Sequence, residues 1–475
     1  MFKCIEDTLT LETQASKVML YRMLARAERG NPPLSTIRKL RQQTFNEWGT
    51  IAKLELLCTT YFGEIDTTKK DAVAQLSFQN EHLRSLNHIP FILLALSLFK
   101  IYAVPLMAIF MPILAFVLPY VILRFVYQIP MTFSRYTDLL KGMWFGSKDT
   151  SYVQIFFFIF SLLQGIIQPI QNAMHYNTTD SVICETGRAI LEVRSYCIKL
   201  REHYHVTRVL DEFPVEDPRR CFFLVFENPG LLTSVFENLG ELEVLWKIAQ
   251  NESFREVTFI EPAEEPYLEI QGLQDLSIPL EKRVLSDVKL DKTSHHCLVT
   301  GPNGGGKSSA MRAILQSVVL AQTFGVACVT SMTLRPFKWI SSGLSLHDTP
   351  GVKSMFQTEV QFAAKLLKKR RGNGPGLILY DELFHSTNPP DCVRTAKIFM
   401  NRLWKRKNIA SFLSTHVFEL VDEAPPEIQR LCVGATYENK KLRFLYKLTK
   451  GVCKVSSVYS ILKREGLVIA SKEVR

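Results

Sequence analysis

No C-x-x-C pair occurs among the ten cysteines, which stand at 4, 58, 184, 197, 221, 297, 328, 392, 432 and 453, so neither a zinc ribbon nor a dithiol redox motif is encoded. Thiols scattered this way are those of buried residues in a reducing compartment. His203 and His205 form the nearest thing to a metal pair, and no cysteine or carboxylate stands beside them at ligand spacing. The opening stretch Met1 to Leu11 carries Lys3, Glu6 and Asp7, which a signal peptide would not, so none is expected there. With 23 Gly and 22 Pro in 475 residues the chain is neither collagenous nor of low complexity, and 47% hydrophobic residues exclude wholesale disorder. The length admits two or three domains.

What is present is unevenly spread. An excess of 57 Lys+Arg over 46 Asp+Glu gives +11, yet the mean hydropathy is mildly positive, so apolar and basic residues must occupy different stretches. Ile101 to Leu123 holds 23 residues without a charge, and Pro90 to Phe99 precedes it across the single Lys100. About 20 apolar residues cross a bilayer core as a helix. A second run, Ser151 to Ile170, is followed by no charge until Asp180. Two crossings are therefore expected. The second run, with Gln154, Gln164 and Gln168, also suits a buried core helix. The first shows no polar stripe at a 3.6-residue period, and its Pro105, Pro112 and Pro119 are better tolerated in a membrane than in water. Basic residues flank both ends of the block, so charge does not orient it. An even number of crossings keeps both flanking parts in one compartment.

Residues 297 to 309 read CLVTGPNGGGKSS, and Gly301, Gly306, Lys307 and Ser308 fill the G-x-x-x-x-G-K-[ST] pattern of a phosphate-binding loop. A short apolar strand, Cys297 to Val299, leads in. A helix leads out, with Met311, Ile314, Leu315, Val318 and Val319 on one stripe. Gly304, Gly305 and Gly306 free backbone N–H groups to face phosphates at a helix N-terminus. Lys307 is expected at the β and γ phosphates of ATP, and Ser308 on Mg²⁺. Downstream, the apolar Leu377 to Tyr380 ends in Asp381-Glu382, the pattern of a Walker B strand. There Asp381 serves the metal and Glu382 polarises the attacking water. A further buried strand, Ile409 to Leu413, finishes in Ser414-Thr415-His416, which puts His416 at a strand's carboxyl end, where ligands bind in open α/β sheets.

Together these residues resemble the ATPase domain of the MutS mismatch-repair family, itself similar to ABC ATPases. Thr300-Gly301-Pro302-Asn303-Gly304-Gly305-Gly306-Lys307-Ser308 resembles that family's T-G-P-N-M-G-G-K-S, with glycine for methionine at 304, and Ser309 continues the loop. Asp381-Glu382 is followed by Ser386-Thr387, similar to the family's G-T-S turn, with Phe384-His385 in place of Gly-Arg. Thr415-His416 with Phe418-Glu419-Leu420 resembles T-H-Y-F-E-L, and Phe444 to Leu448 with Gly451 resembles F-L-Y-K-L…G. Leu239 to Gln250 looks like the end of the family's lever domain, and Pro266 to Gly272 like the first ATPase strand, so the likeness spans roughly residues 239 to 467.

The resemblance implies paired ATPase domains, in a homodimer or a MutS-like heterodimer. Ser354, in a segment similar to S-T-F-M-V-E, would then be donated in trans to the partner's γ-phosphate. It implies DNA as a partner, although the mismatch-reading N-terminal domain with its Phe-x-Glu wedge is not seen. Apolar segments stand where the family's clamp would be inserted, and only eight residues follow Leu467. The adenine-stacking position falls near Val284 and Leu285. The expected architecture is thus an α/β P-loop ATPase of MutS/ABC type at the C-terminus, preceded by an all-α lever-like region interrupted by a transmembrane helical hairpin. Its divisions are 1–89 (lever-like), 90–171 (transmembrane), 172–255 (returning lever and connector) and 256–475 (ATPase), with the ATPase facing the cytosol or an equivalent ATP-containing compartment. Two basic runs, Lys365, Lys368, Lys369, Arg370, Arg371 and Arg402, Lys405, Arg406, Lys407, suit phosphate contacts or a solvated face, and aromatic residues are nearly absent from them.

Overall fold

The computed structural model describes residues 2–27, 32–63, 67–145, 152–201, 204, 208–212, 217–344, 354–368, 374–438 and 441–467. His203, His205 and the run Lys369 to Arg371 lie outside them. The chain forms two compact units, Glu47–Leu239, and Met1–Asn46 together with Gly240–Arg475.

In the second of these units, five strands assemble in parallel: Trp339–Gly343, Gly376–Tyr380, Ile409–Ser414, His296–Thr300 and Gln429–Glu438. Lys441–Lys450 closes one edge antiparallel to Gln429–Glu438. His296–Thr300, Gly376–Tyr380 and Ile409–Ser414 are buried at every position, as near-continuous apolar runs covered on both faces must be. The strand order places His296–Thr300 directly beside Ile409–Ser414, so the glycine loop leaves the sheet next to the Ser414-Thr415-His416 end. A smaller four-stranded sheet contains Leu268–Leu273 and Ser286–Leu290.

The first 46 residues cluster with this unit rather than with residues 47–89. The buried carboxylate of Glu243 explains part of that: it accepts hydrogen bonds from the N–H of Glu12 (2.6 Å), the N–H of Thr13 (3.1 Å) and the hydroxyl of Thr13 (2.5 Å), ahead of the helix Gln14–Leu24. Gln322, also buried, donates to the carbonyls of Ala27 and Phe337 and accepts from the N–H of Phe337. Paired in this way, buried polar groups tie sequence-distant segments together instead of costing stability.

The Glu47–Leu239 unit is helical. Val73, Leu76, Leu93, Ile183, Phe222 and Phe223 form a core cluster in it. Asp180 receives Arg219 through two hydrogen bonds (3.0 and 2.7 Å) and the hydroxyl of Ser97 (2.9 Å). Pro90–Val126 is one helix, with π-turns at Phe99–Ala103 and Ile122–Val126. The first π-turn immediately precedes Pro105 and the second follows Pro119. The widened turn ahead of Pro105 contains Ile101, whose carbonyl lies four residues back from the proline ring, and so relieves their clash.

The expected transmembrane hairpin is corrected here: among the described residues one helix, Pro90–Val126, is long and apolar enough to cross a membrane, not two. The second apolar run opens the helix Tyr152–Arg201, whose later turns carry Asp180, Glu185, Arg188 and Glu192. Its side chains at 152–159 fall outside the described residues.

Candidate functional site: a phosphate-binding loop facing two acids and a histidine

Strand His296–Thr300 releases the loop 301–306 into the helix Lys307–Phe324. Two glycines are required by what surrounds them. Gly301 has φ 149°, and a Cβ there would lie 2.6 Å from the carbonyl oxygen of Val433; Gly306 has φ 104° and lies against the Tyr446 ring. Both positions are closed to side chains, so the loop is held tight and its N–H groups remain available at the helix N-terminus.

Lys307 is buried. Its ammonium donates to the carbonyls of Gly301 (3.0 Å) and Pro302 (3.2 Å), which fold it over the loop. Burial pulls its pKa below the ordinary lysine value, and the carboxylates of Glu382 and Asp381 counter that pull. A positive charge held here, with two acids across from it, suits a polyphosphate and its metal.

The Walker B residues owe their positions to Ser414, at the end of the neighbouring strand. Its hydroxyl donates to the carboxylate of Asp381 and accepts from the N–H of Glu382 (2.8 Å), and its carbonyl accepts from the N–H of Leu383 (3.2 Å). These bonds hold a backbone that is otherwise unfavourable, since Glu382 (φ 50°) and Phe384 (φ 52°) are both left-handed, at a cost of roughly 1–3 kcal/mol each. Phe384 stands where the resembled pattern has glycine. The backbone keeps the glycine-like conformation, and the buried ring compensates by packing 6.0 Å from both Tyr380 and Phe399.

His416 Nε2 lies 3.3 Å from Glu382 Oε1. Burial and then the charge of Lys307 lower the His416 pKa, against the pull of Glu382, so its neutral form is favoured. Behind the site, the buried carboxylate of Glu359 meets the Ser386 hydroxyl at 2.6 Å and His385 Nδ1 at 2.9 Å.

Lys307 and Glu382 face a cavity of about 660 Å³ lined also by Asn303, Gly304, Gly306, Ser308 and Ser309, with Asp275, Ile278, Val284 and Tyr446 along its other wall. Of the expected site residues, Gly301 and Pro302 supply the carbonyls under Lys307, and Gly305 closes the loop by donating to Pro302 O at 3.0 Å. Asp381 is held at Ser414, and His416 reaches the site through Glu382. Ser354 is not brought in: it is exposed and caps the helix Met355–Lys368, its hydroxyl accepting from the N–H of Gln357 at 3.3 Å. Of the two positions near the expected base site, Val284 lines the cavity and Leu285 does not.

Sequence reasoning assigned no role to Ser414, Tyr446 or Asp275. Ser414 and Tyr446 sat inside quoted motifs without a partner to reveal them. Asp275 binds Arg312 (3.0 Å) and Gln316 (3.2 Å) on the loop's helix, a pairing no local pattern announces.

Nucleotide and metal fit what is present. The loop excludes side chains where phosphates would lie, a buried ammonium faces them, and Ser308 and Asp381 offer the hard oxygen donors magnesium takes. No group of three or more His, Cys, Asp or Glu gathers as a metal cage among the described residues. Such a site would therefore depend on phosphate oxygens.

Fold and loop together define the class: an α/β domain with a P-loop sequence pattern, built on a mixed sheet. Residues 297–468 match the family model described as MutS domain V. The DNA mismatch repair protein MutS of Lactobacillus delbrueckii subsp. bulgaricus is 29% identical over 193 residues, 40% of this chain and 22% of that protein. The same-named protein of Lactobacillus johnsonii is 30% identical over 185 residues, 38% of this chain and 21% of that protein. The likeness to MutS proteins lies in this C-terminal domain. The chain spans about a fifth of the length of the curated relatives it matches.

Proposed function

We propose that the chain is an ATP-binding and ATP-hydrolysing MutS-like protein that works as a dimer on DNA and is anchored in a membrane through Pro90–Val126, with its ATPase domain in an ATP-containing compartment. The observation that carries the catalytic part is that Lys307 and Glu382 line one cavity, with His416 Nε2 3.3 Å from the Glu382 carboxylate. The loop N–H groups and the Lys307 ammonium bind and orient the β and γ phosphates. Ser308 and Asp381 hold Mg²⁺, which neutralises charge on the phosphate oxygens when bound. Glu382 accepts a proton from water at its carboxylate, and His416 steadies that carboxylate from Oε1. Ile278, Val284 and Tyr446 offer the apolar wall against which the base rests.

Ser354 completes the partner's site rather than its own, as its exposed place at a helix N-terminus suits. Ser354→Ala is expected to leave ATP binding unchanged and to lower kcat by roughly tenfold or more, on the scale of one lost transition-state donor. Filter binding beside steady-state hydrolysis checks this, and equal loss of both would sink the assignment.

DNA enters this reading through the named activity of the relatives. A second reading, a membrane-anchored ATP-driven conformational switch acting on a protein or lipid partner without DNA, is favoured by the apolar helix that stands at the clamp position. ATPase rates with and without duplex DNA across a salt series separate the two. Stimulation that fades as salt rises supports DNA, because phosphate contacts are exchanged for counterions. A rate indifferent to DNA at low salt supports the switch.

A further inference from the structure

The two basic runs, more than thirty residues apart in sequence, reach the same groove. It lies between the helices Met355–Lys368 and Pro389–Leu403 and encloses about 670 Å³. Lys368 comes from the first run, and Arg402, Lys405 and Arg406 from the second. The floor is apolar, with Val360, Leu367, Ile398 and Phe399 among its residues, and no acid lines it. Ile398 is 53% exposed and Val360 38%. Arg406 is engaged, donating to the carbonyls of Leu366 and Leu367. Lys368, Arg402 and Lys405 are exposed and meet no carboxylate among the described residues.

We infer that this groove docks an acidic amphipathic helix from a partner protein, an interaction separate from the nucleotide chemistry proposed above. Two amphipathic helices lying side by side leave a trough into which a third helix packs ridge into groove. From Val360 to Lys368 the first helix offers about 12 Å of rise, a little over two turns of a guest helix. Apolar side chains of the guest would fill the floor, and its carboxylates would meet the unpaired cations at the rim. A second copy of this chain is poorly matched, since it carries +11. Duplex DNA would set phosphates over an apolar floor, and a bilayer surface would not enter a concave trough.

The probe is a fluorescein-labelled peptide of about 18 residues, with leucines at i, i+3, i+4, i+7 spacing and glutamates between, titrated by anisotropy onto the full-length protein in detergent. Saturable binding is expected, at least roughly tenfold tighter than for a peptide of the same composition with the leucines dispersed. The double variant R402E/K405E and, independently, Ala364→Trp, which fills the trough from an exposed position, should each weaken it about tenfold or more. Basal ATPase of both variants should be unchanged, which shows that they fold. Equal binding of the dispersed peptide would overturn the proposal, as would indifference to both variants. So would absence of peptide binding where phosphatidylserine vesicles or a duplex oligonucleotide bind and lose affinity in R402E/K405E.

Discussion

Glu382→Gln lowers the rate of ATP hydrolysis by roughly two to three orders of magnitude, the range general-base loss produces, while nucleotide affinity stays within about threefold. The split follows from where the residue's two halves act. Its backbone N–H, bonded to Ser414 at 2.8 Å, maintains the turn and is untouched by the substitution. Its carboxylate faces His416 and the ammonium of Lys307. Glutamine preserves size and one carbonyl oxygen but cannot accept a proton from water. The lost negative charge also leaves Lys307 less opposed, which favours phosphate binding and works against any fall in affinity. Single-turnover hydrolysis beside equilibrium binding of a labelled nucleotide measures both halves. An unchanged rate would remove Glu382 from the chemistry, and parallel loss of rate and affinity would make it a structural residue.

How this site could be seen in advance depends on how local its signals are. The glycine loop and the acid pair are each confined to a few consecutive residues and each follow a short apolar strand, so the linear chain displays them. Ser414 supports Asp381 and Glu382 from a different strand, and its role appears only once Ile409–Ser414 pairs with Gly376–Tyr380. Phe384 in place of glycine looks like a defect in the motif. The structure shows a left-handed residue compensated by aromatic packing, and that compensation is a tertiary fact. The same holds for residues 1–46, whose association with Gly240–Arg475 rests on Glu243 and Gln322 reaching across more than two hundred residues. Apolar content located Pro90–Val126 without help, because a long uncharged run needs no partner to be recognised.

Carbonate extraction at alkaline pH should leave the wild-type protein in the membrane pellet. Pro90–Val126 carries exposed Leu106, Phe110, Ile113 and Leu114, each more than half open, and none of its most apolar window is buried. In water such a surface forfeits about 25 cal/mol per Å² of apolar area, whereas a bilayer covers it. The uncharged stretch Ile101 to Leu123 rises about 34 Å, close to the ~30 Å hydrocarbon core, and Lys100 and Arg124 stand at its two ends. Arg124 donates to the hydroxyl of Tyr120 at 2.5 Å and lies 5.9 Å from that ring's centre, a pairing suited to the interface where aromatic and basic residues anchor a span. Arginine at 106, 110 and 114 together would cost about 8–10 kcal/mol by insertion scales, enough to abolish spanning. That triple variant should move to the carbonate supernatant while the proposed ATPase activity survives, since the substituted residues lie outside the unit that holds the glycine loop. Release of the unsubstituted protein would overturn the membrane assignment. Retention of an active triple variant in the pellet would shift the anchor away from this helix, and the run beginning at Tyr152 would be the next segment to substitute.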